Sequence, residues 1–133
     1  MQYSTRLRNA RLNVIADTVG PSAYLQIRSG APPADCSKPD AGDLLCEMAL
    51  PKEWMGRASG GNVSANGTWT GEGVAAGNAG HFRVKDTAKR FTDIQGTVGA
   101  TGDNNADAEI DNIVIAPGQT VTMKFFGITG ANA

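Results

Sequence analysis

Most of the chemistry a small enzyme relies on is scarce in this chain. Histidine occurs once, at His81, and cysteine twice, at Cys36 and Cys46. Two cysteines and one distant histidine do not make a tetrahedral zinc site, so no metal is expected. A Ser-His-Asp arrangement would have to use His81, and no GxSxG elbow is present. Nor is there a P-loop, or a GxGxxG ahead of a helix. Aromatic residues make up only 6% of the chain and charge is nearly balanced, with a formal net charge of -1. That balance gives no general pull toward nucleic acid or an anionic membrane. No apolar run approaches the roughly 20 residues of a membrane span. The opening MQYSTRLRNARLN is positively charged, but no apolar stretch follows it. A secretory signal is therefore not expected, and the protein should fold in the cytoplasm where it is made. In that reducing compartment Cys36 and Cys46 read as ordinary thiols, although a short loop between them leaves a disulfide open.

What the chain does have is a change of period. In STRLRNARLNVIADTVGPS, Leu7, Ala10, Val14 and Ile15 recur at helical spacing. Ser4 or Thr5 can cap this helix, and Gly20-Pro21 ends it, because proline cannot continue a helix and restrains the residue before it. A helix is expected at about residues 4–19, with Leu7, Val14 and Ile15 as a single stripe packed on the sheet or on a partner subunit. Arg6, Arg8 and Arg11 scatter around it as a solvated face or as contacts to a partner's carboxylates or phosphates. After Pro21 apolar residues alternate, as in Ala23, Leu25 and Ile27, and again in Leu44, Cys46, Met48 and Leu50. Alternation marks a half-buried strand, since successive side chains point to opposite faces. Further strands are read at 63–69, 73–76, 81–85, 91–98, 108–115 and 120–128. In the 81–85 segment Phe82 and Val84 face the core, which predicts that His81, Arg83 and Lys85 face solvent.

About eight short strands punctuated by Gly, Asn and Asp predict an all-β protein. The expected form is an antiparallel β-sandwich, jelly-roll-like, with a short N-terminal α-helix, in a single domain over residues 1–133. Single glycines in SGGNVSANGTWTGEGVAAGNAG read as bulges and tight bends. TGDNNADAEID gathers Asp103, Asp107, Glu109 and Asp111, but it lacks the glycine and terminal glutamate of an EF-hand. It reads as an acidic hairpin tip. Trp54 and Trp69, with Tyr24, are read as core or interface packing, against a sugar-stacking platform as the alternative. The loop from Ser29 to Asp43, which carries Pro32 and Pro33, holds no large apolar residue. Loops of that length in a compact domain are functional or disordered.

Three stretches taken in order resemble a known family. They are LRNARLNVIAD, then LQIRSGAPPADCSKPDAGDLLCEMALP, then AGHFRVKD followed by DNIVIAPGQTVTMKFFGITGANA. An N-terminal helix, an IxSGxxP segment with a GxLL strand, a GxFR strand and an IxxGQTV strand are similar to small all-β proteins encoded among the virion structural genes of tailed bacteriophages. The resemblance implies a non-enzymatic capsid cement or decoration protein without cofactor, located in the virion. It implies the major capsid protein as partner, a homo-oligomer (dimer or trimer) on the capsid, no membrane and no specific nucleic acid. A tail or head–tail connector component is the alternative within the virion. A carbohydrate-binding module of a host-adsorption structure is the alternative from another class. Candidate partner contacts are Arg6, Arg8, Arg11, Pro32, Pro33 and Trp54. On this reading the proline-stiffened loop reaches a neighbouring subunit, losing little entropy as it docks; a solvated crossover between two sheets is the alternative.

Overall fold

The computed structural model describes residues 1–133. One helix, α1 (Thr5–Val19), precedes nine strands. These are β1 (Tyr24–Ser29), β2 (Leu44–Ala49), β3 (Asn62–Ser64), β4 (Thr70–Glu72), β5 (Gly77–Lys85), β6 (Thr92–Ala100), β7 (Ala108–Ile110), β8 (Val114–Ile115) and β9 (Thr120–Thr129). The all-β expectation holds, but the strands form one curled, mixed sheet rather than two stacked antiparallel layers. Its main path runs β2-β1-β5-β6-β7-β9-β3, with β4 on β9 and β8 on β5. The sheet curls until β4 approaches β2, where Val74 N–H donates to Leu45 O at 2.8 Å. The expected 63–69 strand shortens to β3, and the 108–115 strand splits into β7 and β8.

Register follows the alternation. Leu25 lies opposite Val84 and Ile27 opposite Phe82, while Val84 lies opposite Ile94 on β6. Leu25, Ile27, Val84, Ile110, Val121 and Phe126 are buried on the inner face. Each such side chain contributes roughly 1.5–3 kcal/mol on burial. An aromatic chain crosses this core: Trp54 to Trp69 at 6.1 Å, Trp69 to Phe126 at 5.0 Å, and Phe126 to Phe82 at 5.4 Å between ring centroids.

The one parallel pair is the departure from an antiparallel plan. Val98, Gly99 and Ala100 of β6 lie beside Ala108, Glu109 and Ile110 of β7, running the same way. The chain achieves this by folding residues 101–107 back over β6. A Cβ on Gly99 would stand 2.5 Å from Asp103 Oδ2 and 2.8 Å from Ala106 Cβ, so glycine is what lets the segment lie flat there. The acidic stretch is therefore a crossover, not a hairpin tip. Its carboxylates serve the main chain: Asp107 accepts from Thr97 N–H at 3.0 Å, Glu109 from Gly102 N–H at 2.6 Å and Asp111 from Thr122 N–H at 3.1 Å.

Helix α1 starts where expected. Ser4 caps it, its hydroxyl accepting from Leu7 N–H at 3.2 Å, and Gly20 N–H donates to Ala16 O at 2.9 Å at the other end. Of the expected stripe, only Ile15 packs on the sheet side. Leu12 and Val19 are buried and Ile15 packs beside them, whereas Leu7 (45% exposed) and Val14 (55%) face outward. Two amides decide the rotation. Asn9 Oδ1 accepts Gly61 N–H and Asn13 Oδ1 accepts Ala58 N–H, both at 2.8 Å. These are loop donors that an aliphatic face could not satisfy. No helix is long and apolar enough to cross a membrane.

Candidate functional site

The outer face of β2-β1-β5-β6 carries polar side chains in rows. Glu47, Gln26, Arg83 and Gln95 occupy one row, and Arg28, His81 and Thr97 the next. Sequence alternation assigned this face to solvent. Instead Gln26, His81, Arg83 and Lys85 are all buried. The cover is the loop from Ser29 to Asp43, which lies down on its own sheet. Its base is closed by Ser29 N–H to Asp43 O at 3.1 Å and by Asp43 N–H to Ser29 Oγ at 2.9 Å.

Arg83, only 1% exposed, holds the loop with nearly every donor it has. Nη1 donates to Lys38 O at 3.0 Å and to Asp40 Oδ1 at 2.6 Å. Nη2 donates to Asp35 O at 3.3 Å and Cys36 O at 3.1 Å, and Nε to Gln95 Oε1 at 3.1 Å. Gln95 Nε2 then reaches Pro33 O at 2.7 Å. A planar guanidinium with five N–H donors suits this task, because it collects several carbonyls at fixed angles. His81 adds a bond from Nδ1 to Gly30 O at 2.9 Å, while its Nε2 is buried without a partner.

Asp40 is the only carboxylate that the loop places among the buried cations. It pairs with Arg83 at 2.6 Å, Lys85 at 2.7 Å and Arg28 at 3.3 Å. Partial burial pushes its carboxyl up, but hydrogen bonds from Lys85 and Arg83 and the charges of Lys85 and Arg28 outweigh that and hold it below its ordinary value. Glu47 behaves similarly at the edge. Burial raises it, yet the bonds from Lys89 and Gln26 leave it lowered. Lys89 also sits 4.3 Å over the Tyr24 ring.

The six candidate contacts fall on three separate elements. Arg6 is exposed on α1 and forms no ion pair. Arg8 is half-buried, bonded to Thr5 Oγ1 at 3.2 Å, with Nε buried and unpartnered. Arg11 lies 5.0 Å over the Tyr3 ring. Pro32 and Pro33 are half-buried at the start of the docked loop. Trp54 is no surface contact: it is 1% exposed and donates from Nε1 to Gly20 O at 2.9 Å, fastening the helix end to the core. Trp69 is equally buried and Tyr24 is capped by Lys89, so the three rings build no open sugar platform. Cys36 and Cys46 are free thiols. Burial, then the charges of Glu47 and Asp111, push the Cys46 thiol up to about 11. No group of three or more His, Cys, Asp or Glu side chains converges as a metal site.

Sequence reasoning gave no site role to Arg28, Gln95 or Asp40 and placed His81, Arg83 and Lys85 in solvent. The available signal was three ionisable residues on alternate positions of one strand, beside a long loop carrying aspartates. Beside the loop, the 86–91 turn leaves a groove of about 580 Å³, lined by Lys38, Lys85, Arg90 and Phe91 among others. A second concavity of about 610 Å³ lies between α1 and residues 52–57. No family model, curated protein or solved structure matches the chain.

Proposed function

We propose that the chain is a non-enzymatic virion structural protein of a tailed bacteriophage, a capsid cement that bridges and stabilises neighbouring major capsid subunits. The carrying observation is the outer face of α1. Leu7, Ala10 and Val14 form one exposed stripe at i, i+3 and i+7, and Arg6 and Arg11 flank it. The helix keeps its buried residues for its own sheet and leaves this second apolar stripe free. An apolar strip edged by cations is complementary to an apolar surface rimmed with acids on the partner. The stretches that resemble virion proteins include this helix.

The role of the loop changes accordingly. Pro32 and Pro33 stiffen a segment that covers its own sheet, so the helix, not the loop, is the main adhesive surface in this reading. The test is quantitative gel analysis of purified particles bearing the wild-type chain or a Leu7→Asp/Val14→Asp variant. Wild type should be present at a copy number comparable with the major capsid protein, rather than that of a connector ring. The variant should melt close to wild type, because Leu7 and Val14 are already about half exposed, and should be lost from particles. Full retention of the variant, or wild type at connector-level copy number, would refute the cement reading.

A further inference from the structure

The groove between the docked loop and the 86–91 turn holds unspent binding capacity of a definite kind. Its walls contribute four cations, Lys38, Arg83, Lys85 and Arg90, against two carboxylates, Asp40 and Asp93. Asp40 is already shared among three cations, and Asp86 beneath the turn is committed to Arg90 N–H at 2.7 Å and Phe91 N–H at 3.0 Å. Lys38 and Arg90 form no ion pair at all. Lys85 is 8% exposed, and its ammonium makes one hydrogen bond, to Asp40, of the three it can donate. A nearly buried ammonium with donors to spare, lining an open groove, is poised for an oxyanion.

Two further features lie on the same side. Phe91 is a largely exposed aromatic at the lip, with the Arg90 guanidinium 5.6 Å from its ring. The first half of β6 is also an open edge. β5 pairs along Thr92–Thr97, but β7 joins only at Val98–Ala100. The Thr97 N–H on the open side is taken by Asp107 at 3.0 Å. By the alternation of an antiparallel ladder, Gln95 turns its main-chain groups the same way, with no strand beside it. Lys85 pairs with Thr92 across the ladder, so the cations stand beside this open edge.

We infer that this groove docks an extended segment of a protein partner that carries a single carboxylate. The segment adds to the β6 edge through main-chain hydrogen bonds, sets a carboxylate against Lys85, Lys38 and Arg90, and rests an apolar side chain on Phe91. Added-strand recognition works in this way, with main-chain bonds giving affinity and alternate side chains giving specificity. Asp93 lies on the same lip, so a run of acids is disfavoured and a single carboxylate between apolar residues fits best. The site is distinct from the α1 stripe and stands whether or not the chain acts in a particle.

The experiment uses the full chain and three probes: a blocked hexapeptide of alternating apolar residues with one central glutamate, the same peptide with glutamine, and inorganic phosphate. Binding is followed by amide chemical-shift titration. The glutamate peptide should shift amides of Phe91–Gln95 and of the 35–40 segment, and bind about tenfold more tightly than the glutamine peptide, as expected for one charge-assisted contact. A Lys38→Gln/Arg90→Gln variant removes two surface charges that form no ion pair, with Arg90 giving up its place beside the Phe91 ring, and should melt close to wild type. It should lose severalfold toward the glutamate peptide, Lys85 keeping part of the contact, while leaving the glutamine peptide unchanged. Equal affinity for the two peptides, saturation by phosphate without peptide binding, or peptide shifts confined to the helix would each overturn the assignment.

Discussion

Replacing Asp40 by Asn tests the clamp that holds the 29–43 loop, at almost constant shape. The substitution removes one negative charge from among Arg83, Lys85 and Arg28. At 2.6–3.3 Å each pair carries about 5–6 kcal/mol of gross attraction at an effective dielectric near 20, and without the carboxylate the repulsion among the three cations stands uncompensated. Removing one partner of a buried ion pair costs about 3–5 kcal/mol. Two circumstances reduce that here. The Asp40 side chain is 32% exposed, so water already screens it, and the loop can lift and let water reach Lys85. We expect a loss of about 2–3 kcal/mol in urea unfolding at neutral pH. Faster amide exchange at Asp43 and Ser29, which close the loop base, should accompany it.

The pH dependence carries the sign. The folded carboxyl of Asp40 lies below its ordinary value of 3.8, so its contribution is complete above that value and is lost as pH falls through the lowered one. The gap between wild type and Asp40→Asn should be constant at neutral pH and close in acid, because protonation makes wild type resemble the variant. A gap under about 0.5 kcal/mol at neutral pH, the usual scale of surface substitutions, would refute the clamp. So would a gap that stayed open in acid.

Two further outcomes follow from the geometry. Gly99→Ala should destabilise by about 1–3 kcal/mol in urea unfolding, since the new methyl drives the Asp103–Ala106 segment off β6. Amide shifts spread evenly over the sheet, rather than centred on residues 101–107, would count against the crossover packing. A chromogenic disulfide reagent at pH 8 should titrate one thiol in the native protein, Cys36, and a second only after denaturation. Cys46 is fully buried and its thiol is raised to about 11, so two fast thiols would contradict its placement.

The strands were legible where one face is apolar and the other is not. Leu25 and Ile27, Phe82 and Val84, and Val121 and Met123 alternate cleanly, and all lie in the core. The helix bounds were legible because Ser4 and Gly20-Pro21 have local chemistry that acts without the rest of the fold. What alternation does not carry is whether the second face is wet. His81, Arg83 and Lys85 share a face that solvent would suit, and only the return of the 29–43 loop, with carbonyls and one carboxylate to offer, makes burial tolerable. The helix presented a similar ambiguity. It has two apolar stripes, and the inner one is chosen by Asn9 and Asn13, whose amides matter because Gly61 and Ala58 need acceptors. The parallel pairing of β7 was hidden for a different reason: a glycine that permits close approach resembles one that permits a turn.

The docked loop also fixes an order of events. Its anchors stand on three strands, Arg28 on β1, Arg83 and Lys85 on β5, and Gln95 on β6. β1 and β5 are separated by more of the chain than either hairpin spans, so they must meet before those anchors form one surface. We expect the loop to settle late, with its bonds absent from the transition state, which φ-values near zero at Arg83 and Asp40 would check. Weakening it should then quicken escape from the native state while leaving the approach to that state unchanged. The clamp thus governs how long each copy stays folded once made, a lifetime set apart from the speed with which it forms.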